Sequence, residues 1–153
     1  MKRLGATATA MAALVGAAAA EAQERARPTQ AELFCHDLKR LVREAPDFEG
    51  MWNARPAPPW LGFRPGSCRY WKGSETSPPA YWCHQQLAPA HQSLKNLADM
   101  TAACLPGATR LATEWPREAS FETAELRIHI TESGGPGAKV GRIVGYRVEA
   151  KVP

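Results

Sequence analysis

The sequence has no run of like charges. Lysine and arginine are scattered along its 153 residues, and the formal net charge is +4. Domains that bind nucleic acid gather basic residues into a patch or stripe, so the sequence predicts no nucleic-acid partner. Such a mild charge permits weak attraction to anionic surfaces but does not require it.

The sequence also lacks the linear motifs of common catalytic sites. It contains neither Gly-x-Ser-x-Gly nor His-Glu-x-x-His. Residues 133–137 (Ser-Gly-Gly-Pro-Gly) lack the Lys-Ser/Thr ending of a phosphate loop and are predicted to form a hairpin turn. We therefore predict no catalytic residue and no cofactor. A small extracytoplasmic enzyme whose site is assembled from distant residues is the alternative, because it would leave no such motif.

The sequence also has no odd cysteine that would be left over after disulfide pairing. The four cysteines, Cys35, Cys68, Cys83 and Cys104, form an even set, which in an exported protein usually means disulfides. The strand pairing described below favours Cys68 with Cys83, which leaves Cys35 with Cys104. Pairing of Cys35 with Cys68 or with Cys83 is the alternative. A thiol nucleophile would need a cysteine left over.

Two of these cysteines are followed by histidine, as Cys35-His36 and Cys83-His84. Structural zinc sites space the two ligands of a pair roughly two to four residues apart. Adjacent residues are poorly placed to bind one ion, so the sequence predicts no metal site.

A long uncharged stretch occurs at the N-terminus. The basic residues 2–3 precede an Ala-rich segment, 4–20, and residues 20–22 (Ala-Glu-Ala) fit a small-x-small cleavage pattern. The stretch is weakly apolar, and a stable membrane anchor needs about 20 predominantly apolar residues. These features indicate a cleaved signal peptide, with an N-terminal helix of the mature domain as the alternative.

The predicted signal peptide determines the predicted domain organisation of the chain. We predict a signal peptide over 1–22, a flexible leader over 23–30 and one small domain over 31–153. No cysteine lies near the cleavage site, so a lipid anchor is not predicted. The mature protein is predicted to be periplasmic or secreted, without stable insertion into a membrane.

The segment from Cys68 to Cys83 is nearly symmetrical. Its ends read Cys-Arg-Tyr-Trp and Ala-Tyr-Trp-Cys, which predicts a hairpin with Cys68 opposite Cys83. Because side chains alternate across a strand, both cysteines and both tyrosines then share one face. Trp71 and Trp82 share the other face.

Two other segments have helical periodicity. The first begins at a capping box of Thr29 and Glu32 and ends before Pro46. Its predicted inward stripe consists of Phe34, Leu38, Leu41 and Ala45. The second helix is predicted from Pro89 to about Leu105. Between the first helix and the hairpin, the proline-rich segment 46–67 is predicted to be an irregular loop whose aromatic side chains cover the core.

The C-terminal part alternates as strands do. Residues 121–131 and 140–152 are predicted strands on either side of the glycine-rich turn. Residues 111–115 fit either a short strand or a loop. His129 falls on the polar side of its strand and is predicted to be solvated.

Together these elements predict an α+β fold. We expect an antiparallel sheet of four to five strands with two helices on one face, in the order α-β-β-α-β-β(-β), stapled by two disulfides. Such a topology does not specify a function.

The tryptophan-bearing face of the hairpin is the candidate binding surface. Trp60, Arg69, Trp71 and Trp82 are of residue types enriched at interaction hot spots. If exposed, they form a platform for a protein or glycan; if buried, they belong to the core, and the tendency of large aromatics to be buried favours this for at least one tryptophan. We predict a non-catalytic binding or inhibitory, immunity-type module with a partner in the envelope or outside the cell. A structural envelope protein without a dedicated partner is a further alternative.

Overall fold

The computed structural model describes residues 27–51, 60–135, 139 and 141–151. The predicted signal peptide, 1–22, and the first half of the predicted leader, 23–26, lie outside these residues. No helix in the described part of the chain is long and apolar enough to cross a bilayer.

The described residues form two α-helices and one antiparallel sheet, as predicted. The helices are α1 (Gln30–Arg43) and α2 (Leu94–Cys104). The strands are β1 (Cys68–Trp71), β2 (Ala80–Gln86), β3 (Thr109–Leu111), β4 (Glu118–Glu122), β5 (Leu126–Ser133) and β6 (Ile143–Ala150). Their order in the sheet is β1-β2-β6-β5-β4-β3. The hairpin β1-β2 is thus joined through β6 to a meander of the last four strands.

The described sheet has six strands, rather than the predicted four to five. The segment predicted as one strand over 121–131 is interrupted by a turn, where Thr123 N donates to Leu126 O and Leu126 N donates to Thr123 Oγ1. Phe121 and Leu126 are separated by an odd number of positions, so the apolar alternation changes phase between them. The segment 111–115 contributes only its first residue to β3.

Helix α1 begins at the predicted capping box. Thr29 Oγ1 accepts from Glu32 N, and Glu32 Oε2 accepts from Thr29 N at 2.6 Å. Phe34, Leu38 and Leu41 are fully buried, which confirms these three members of the inward stripe. Ala45, the fourth predicted member, lies beyond the end of α1 and is only partly buried against the core.

Helix α2 begins later than the sequence predicts. A short 3₁₀ turn (Ala90–Gln92) follows Pro89, and Ser93 is the N-cap of the α-helix. Glu132 of β5 accepts from Leu94 N at 2.7 Å. Two free N–H groups of the first turn, those of Asn96 and Leu94, are thus satisfied by the cap and by a carboxylate from the sheet.

The disulfides are Cys35–Cys104 and Cys68–Cys83, which confirms the favoured pairing and excludes the crossed one. The hairpin has the predicted register, with Cys68 opposite Cys83 and Arg69 opposite Trp82. Because Cys35 lies on α1 and Cys104 ends α2, their bond ties the two helices together. Disulfides persist in oxidising compartments, so the bonding is compatible with an extracytoplasmic protein.

The helices cover one face of the sheet, and the core lies between them. Tyr146 of β6 meets Phe34 of α1 edge-on, with ring centroids 5.6 Å apart. Its hydroxyl lies 2.7 Å from Thr101 Oγ1 of α2. The aliphatic core residues on this face are fully buried and include Leu126, Ile128, Ile130, Val144 and Val148.

The proline-rich segment adds to the core where it is described. Phe48, Leu61 and Phe63 are at most 1% exposed, which agrees with the predicted covering role. Residues 52–59, with Trp52 among them, lie outside the described part.

Candidate functional site

The opposite face of the sheet carries the polar side chains and three of the four predicted binding residues. Strand alternation places Cys83, Tyr146 and Val148 under the helices and their neighbours Trp82 and Arg147 on the other side. We call this second side the open face. Its central row runs across the strands in register, from Arg69 through Trp82, Arg147 and His129 to Ser120.

Both hairpin tryptophans are partly exposed on the open face. Trp71 is 51% exposed and Trp82 is 47% exposed, so the preference for burying at least one of them in the core is wrong. The reason is that the helices cover the face that carries the cysteines and tyrosines. The tryptophans occupy diagonal positions on β1 and β2, close enough for large side chains to act together.

Two other predicted binding residues have different outcomes. Arg69 is exposed on β1 directly opposite Trp82, so three of the four residues share this part of the face. Trp60 begins a short 3₁₀ turn, Trp60–Gly62. Its side chain lies outside the described part of the structure, and its role stays a prediction.

A concave pocket opens beside Trp82. It has a volume of about 460 Å³, and we call it the glycine pocket because Gly145 is among its lining residues. Gly145 pairs with His84 of β2 on one side and with Thr131 of β5 on the other. Since glycine has no side chain, the sheet surface is recessed at this position, and Thr131 Oγ1 lies next to it, 2.7 Å from where a Cβ would be. The wall residues with side chains on the open face are Trp82, His84, Glu118, His129, Thr131, Arg147 and Glu149.

His129 links two carboxylates along the wall of the glycine pocket. Its Nε2 atom lies 3.2 Å from Glu149 Oε1, and its Nδ1 atom lies 3.4 Å from Glu118 Oε1. Arg147 Nη2 lies 2.8 Å from Glu149 Oε2. Glu149 therefore has a partner at each oxygen, which restricts its orientation.

Ser120, on the neighbouring strand β4, contacts both Glu118 and His129. Its Oγ donates to Glu118 Oε1 at 3.1 Å and lies 3.0 Å from His129 Nδ1. Because a serine hydroxyl has one proton, its lone pairs are left to accept from Nδ1. Ser120 is 4% exposed, and both ring nitrogens of His129 have partners. The group is thus arranged to fix carboxylates, not to activate a serine nucleophile.

A second charged group lies on the open face outside the lining of the glycine pocket. Glu122 lies 3.0 Å from Arg127 Nη2 and 2.7 Å from Lys151 Nζ. Hydrogen bonds from Lys151 and Arg127 hold the pKa of Glu122 below its usual range. The carboxylates Glu118, Glu122 and Glu149 therefore all have donor or cationic partners on the face itself.

The arrangement can bind a polar ligand through fixed acceptors, donors and an aromatic surface. Among the described residues there is no cluster of three or more histidine, cysteine or acidic side chains that could hold a metal ion.

Sequence reasoning missed the glycine pocket. His129 lies on the polar side of its strand, as predicted, and its side chain is 30% exposed. The sequence did not indicate that Glu118, Ser120 and Glu149 are partners of its ring nitrogens. The pocket residues come from four strands, and β2 is distant along the chain from the consecutive strands β4, β5 and β6. One local feature of the sequence could have indicated the pocket: Gly145 interrupts the apolar and polar alternation of β6.

Comparison with known proteins gives no match: no family model, no curated protein and no solved structure is significantly similar to this chain.

Proposed function

We propose that this protein is exported and acts as a non-catalytic binding module, holding a macromolecule of the cell envelope or its surroundings on the open face. The observation that carries the proposal is the pair of tryptophans, each about half exposed on the open face, of which Trp82 lines the glycine pocket. Large exposed aromatics next to fixed polar groups are typical of binding sites. The two disulfides favour the periplasm or the extracellular space as the place of action.

The geometry favours binding over hydrolysis. Ser120 is buried and engaged by two neighbours, and His129 has a partner at each ring nitrogen. A general base must reach the proton that it removes from a substrate. An inhibitory or immunity-type action remains part of the proposal, with the partner held by the same face.

The first prediction concerns the two tryptophans. We expect Trp71→Ala and Trp82→Ala to weaken retention of the envelope partner at least about tenfold, since hot-spot aromatics contribute about 2 kcal/mol or more each. Each change should cost about 1 kcal/mol or less of folding stability, because the side chains are half exposed. The measurement is retention of a single component from an envelope extract by the immobilised mature protein, with melting curves for each variant.

Leu33→Ala is the matched control. Leu33 is 46% exposed on α1, on the side of the sheet away from the tryptophans, and its removal should leave retention unchanged. Retention that survives both tryptophan changes, or a wild type that retains nothing, contradicts the proposal.

A further inference from the structure

The glycine pocket has the size and lining of a site for a small chemical unit. Its volume of about 460 Å³ lies within the range of roughly 300–1,000 Å³ that is common for small-ligand sites. The geometry points to one ligand class: the pocket binds a sugar unit of an uncharged glycan chain. This inference rests on the proposed function and names the partner of the same face.

The first step of the argument is the aromatic wall. Trp82 lies at the edge of the pocket with about half of its surface exposed. An indole ring offers a flat apolar surface with a negative face. A pyranose ring presents a matching flat face of C–H groups, which can stack on the indole while its hydroxyl groups point outward.

The second step is the set of hydrogen-bonding groups around that ring. Glu149 is held by Arg147 and His129, and Glu118 is held by Ser120 and His129. Carboxylates are strong acceptors with several lone-pair positions, so each can accept from a sugar hydroxyl without losing its present partner. Since these groups are already fixed, binding costs little side-chain entropy.

The third step is charge. Glu149 is paired with Arg147, and Glu118 accepts from the Ser120 hydroxyl. Each carboxylate thus already has a donor partner and does not require a cationic ligand. An uncharged ligand rich in hydroxyl groups fits this arrangement, because it adds hydrogen bonds and no new charge to the pocket.

The fourth step concerns the length of the ligand. Trp71 lies diagonally from Trp82 on the hairpin, and it is likewise half exposed. A single sugar in the pocket would leave Trp71 unused. A glycan chain that continues from the pocket toward β1 can stack a further unit there, which explains both exposed indoles with one ligand.

The test begins with the mature, disulfide-bonded protein on an array of immobilised oligosaccharides that includes neutral hexose, N-acetylhexosamine and uronic acid chains. We expect binding to uncharged chains without a requirement for uronic acid. The soluble form of the best binder is then titrated against the protein by calorimetry.

Gly145→Val is the decisive variant. An added Cβ at 145 would lie 2.7 Å from Thr131 Oγ1, so Thr131 must change its χ1 rotamer to make room, and valine suits a strand. The variant should fold but fill the pocket, lowering glycan affinity at least about tenfold. Gly107→Val is the control, because nothing lies within 4 Å of the added Cβ there. If Gly145→Val fails to fold, His84→Ala replaces it, as it removes an exposed wall residue and should also weaken binding.

The outcomes separate this inference from the proposed function. Absence of binding to every array member, or glycan binding unchanged in the folded pocket variant, overturns the glycan assignment. If the protein instead retains an envelope protein in a Trp82-dependent way and binds no glycan, the assignment falls while the binding function stands. If nothing is retained and no glycan binds, both fall.

Discussion

The hydroxyl of Tyr146 is enclosed in the core, where the residue is 1% exposed. Thr101 Oγ1 donates to Leu97 O at 2.8 Å, and a hydroxyl has a single proton. Tyr146 must therefore be the donor in its 2.7 Å contact with Thr101. This direction makes the two partners unequal, because only the tyrosine depends on the other for a hydrogen bond.

Replacement of either partner tests that asymmetry. Tyr146→Phe leaves Thr101 bonded to Leu97 and should cost about 1 kcal/mol of folding stability. Thr101→Val leaves the tyrosine hydroxyl buried without an acceptor and should cost more, about 1–3 kcal/mol. Urea unfolding of both variants at neutral pH gives the comparison. The reverse order would show that the hydrogen bond has the other direction.

Tyr146 should also make the stability of the fold depend on pH in the alkaline range. Burial raises the pKa of Tyr146 well above its usual range, and the hydrogen bond with Thr101 opposes this only partly. The unfolded chain ionises near pH 10, so stability is full below that pH and is lost as the pH rises above it. Tyr146→Phe should flatten this loss in unfolding curves measured between neutral and strongly alkaline pH. Burial also raises the pKa of Tyr81, so part of the loss should persist.

Single residues were predictable from the sequence to different degrees. Alternation correctly placed Trp71 with Trp82 on one face of the hairpin. Alternation does not show which face of the sheet the helices cover. The exposure of the two tryptophans depends on that packing. The surroundings of His129 were out of reach for a similar reason, since Glu118 and Glu149 belong to neighbouring strands set by sheet order.

At the scale of elements, the two disulfides make different connections. Cys35–Cys104 joins α1 to α2 across 69 positions of the chain, and Cys68–Cys83 joins adjacent strands across 15. In the chain-entropy description, the longer loop contributes about 4 kcal/mol and the shorter about 3 kcal/mol. The helix-to-helix bond should therefore be the more stabilising of the two.

Paired alanine variants test this order. Cys35→Ala with Cys104→Ala should lower the free energy of unfolding by about 2–5 kcal/mol. Cys68→Ala with Cys83→Ala should lower it by less, because the hairpin hydrogen bonds also hold those strands. Denaturant unfolding of the two double variants provides the measurement. An equal or larger loss in the hairpin variant would mean that loop length does not determine the order.

The elements themselves were predicted where local signals are strong. The capping box located the start of α1, and the near-symmetry of the hairpin gave its register. The start of α2 depends partly on Glu132, which reaches it from β5. The division between β4 and β5 depends on a turn at Thr123, a residue that is also common within strands. Boundaries set by distant or weak signals were therefore the ones predicted incorrectly.

At the scale of the molecule, export and disulfide bonding should be linked. The predicted cleavage after Ala22 gives a mature chain that begins at Gln23 and keeps all four cysteines. Both disulfides lie within the folded domain, and formation of such bonds requires an oxidising compartment. We expect the protein recovered from the periplasm or culture medium to begin at Gln23 and to show no free thiol when it is denatured.

N-terminal sequencing and thiol titration in denaturant measure both properties on one sample. The control is the same mature chain produced without residues 1–22 in a reducing cytoplasm, which should show four thiols when it is denatured immediately under acidic, exchange-quenched conditions. It should also unfold at lower denaturant concentration than the exported form, because neither loop is closed. A free thiol in the exported protein, or an N-terminus that retains residues 1–22, would contradict this link and with it the extracytoplasmic setting of the open face.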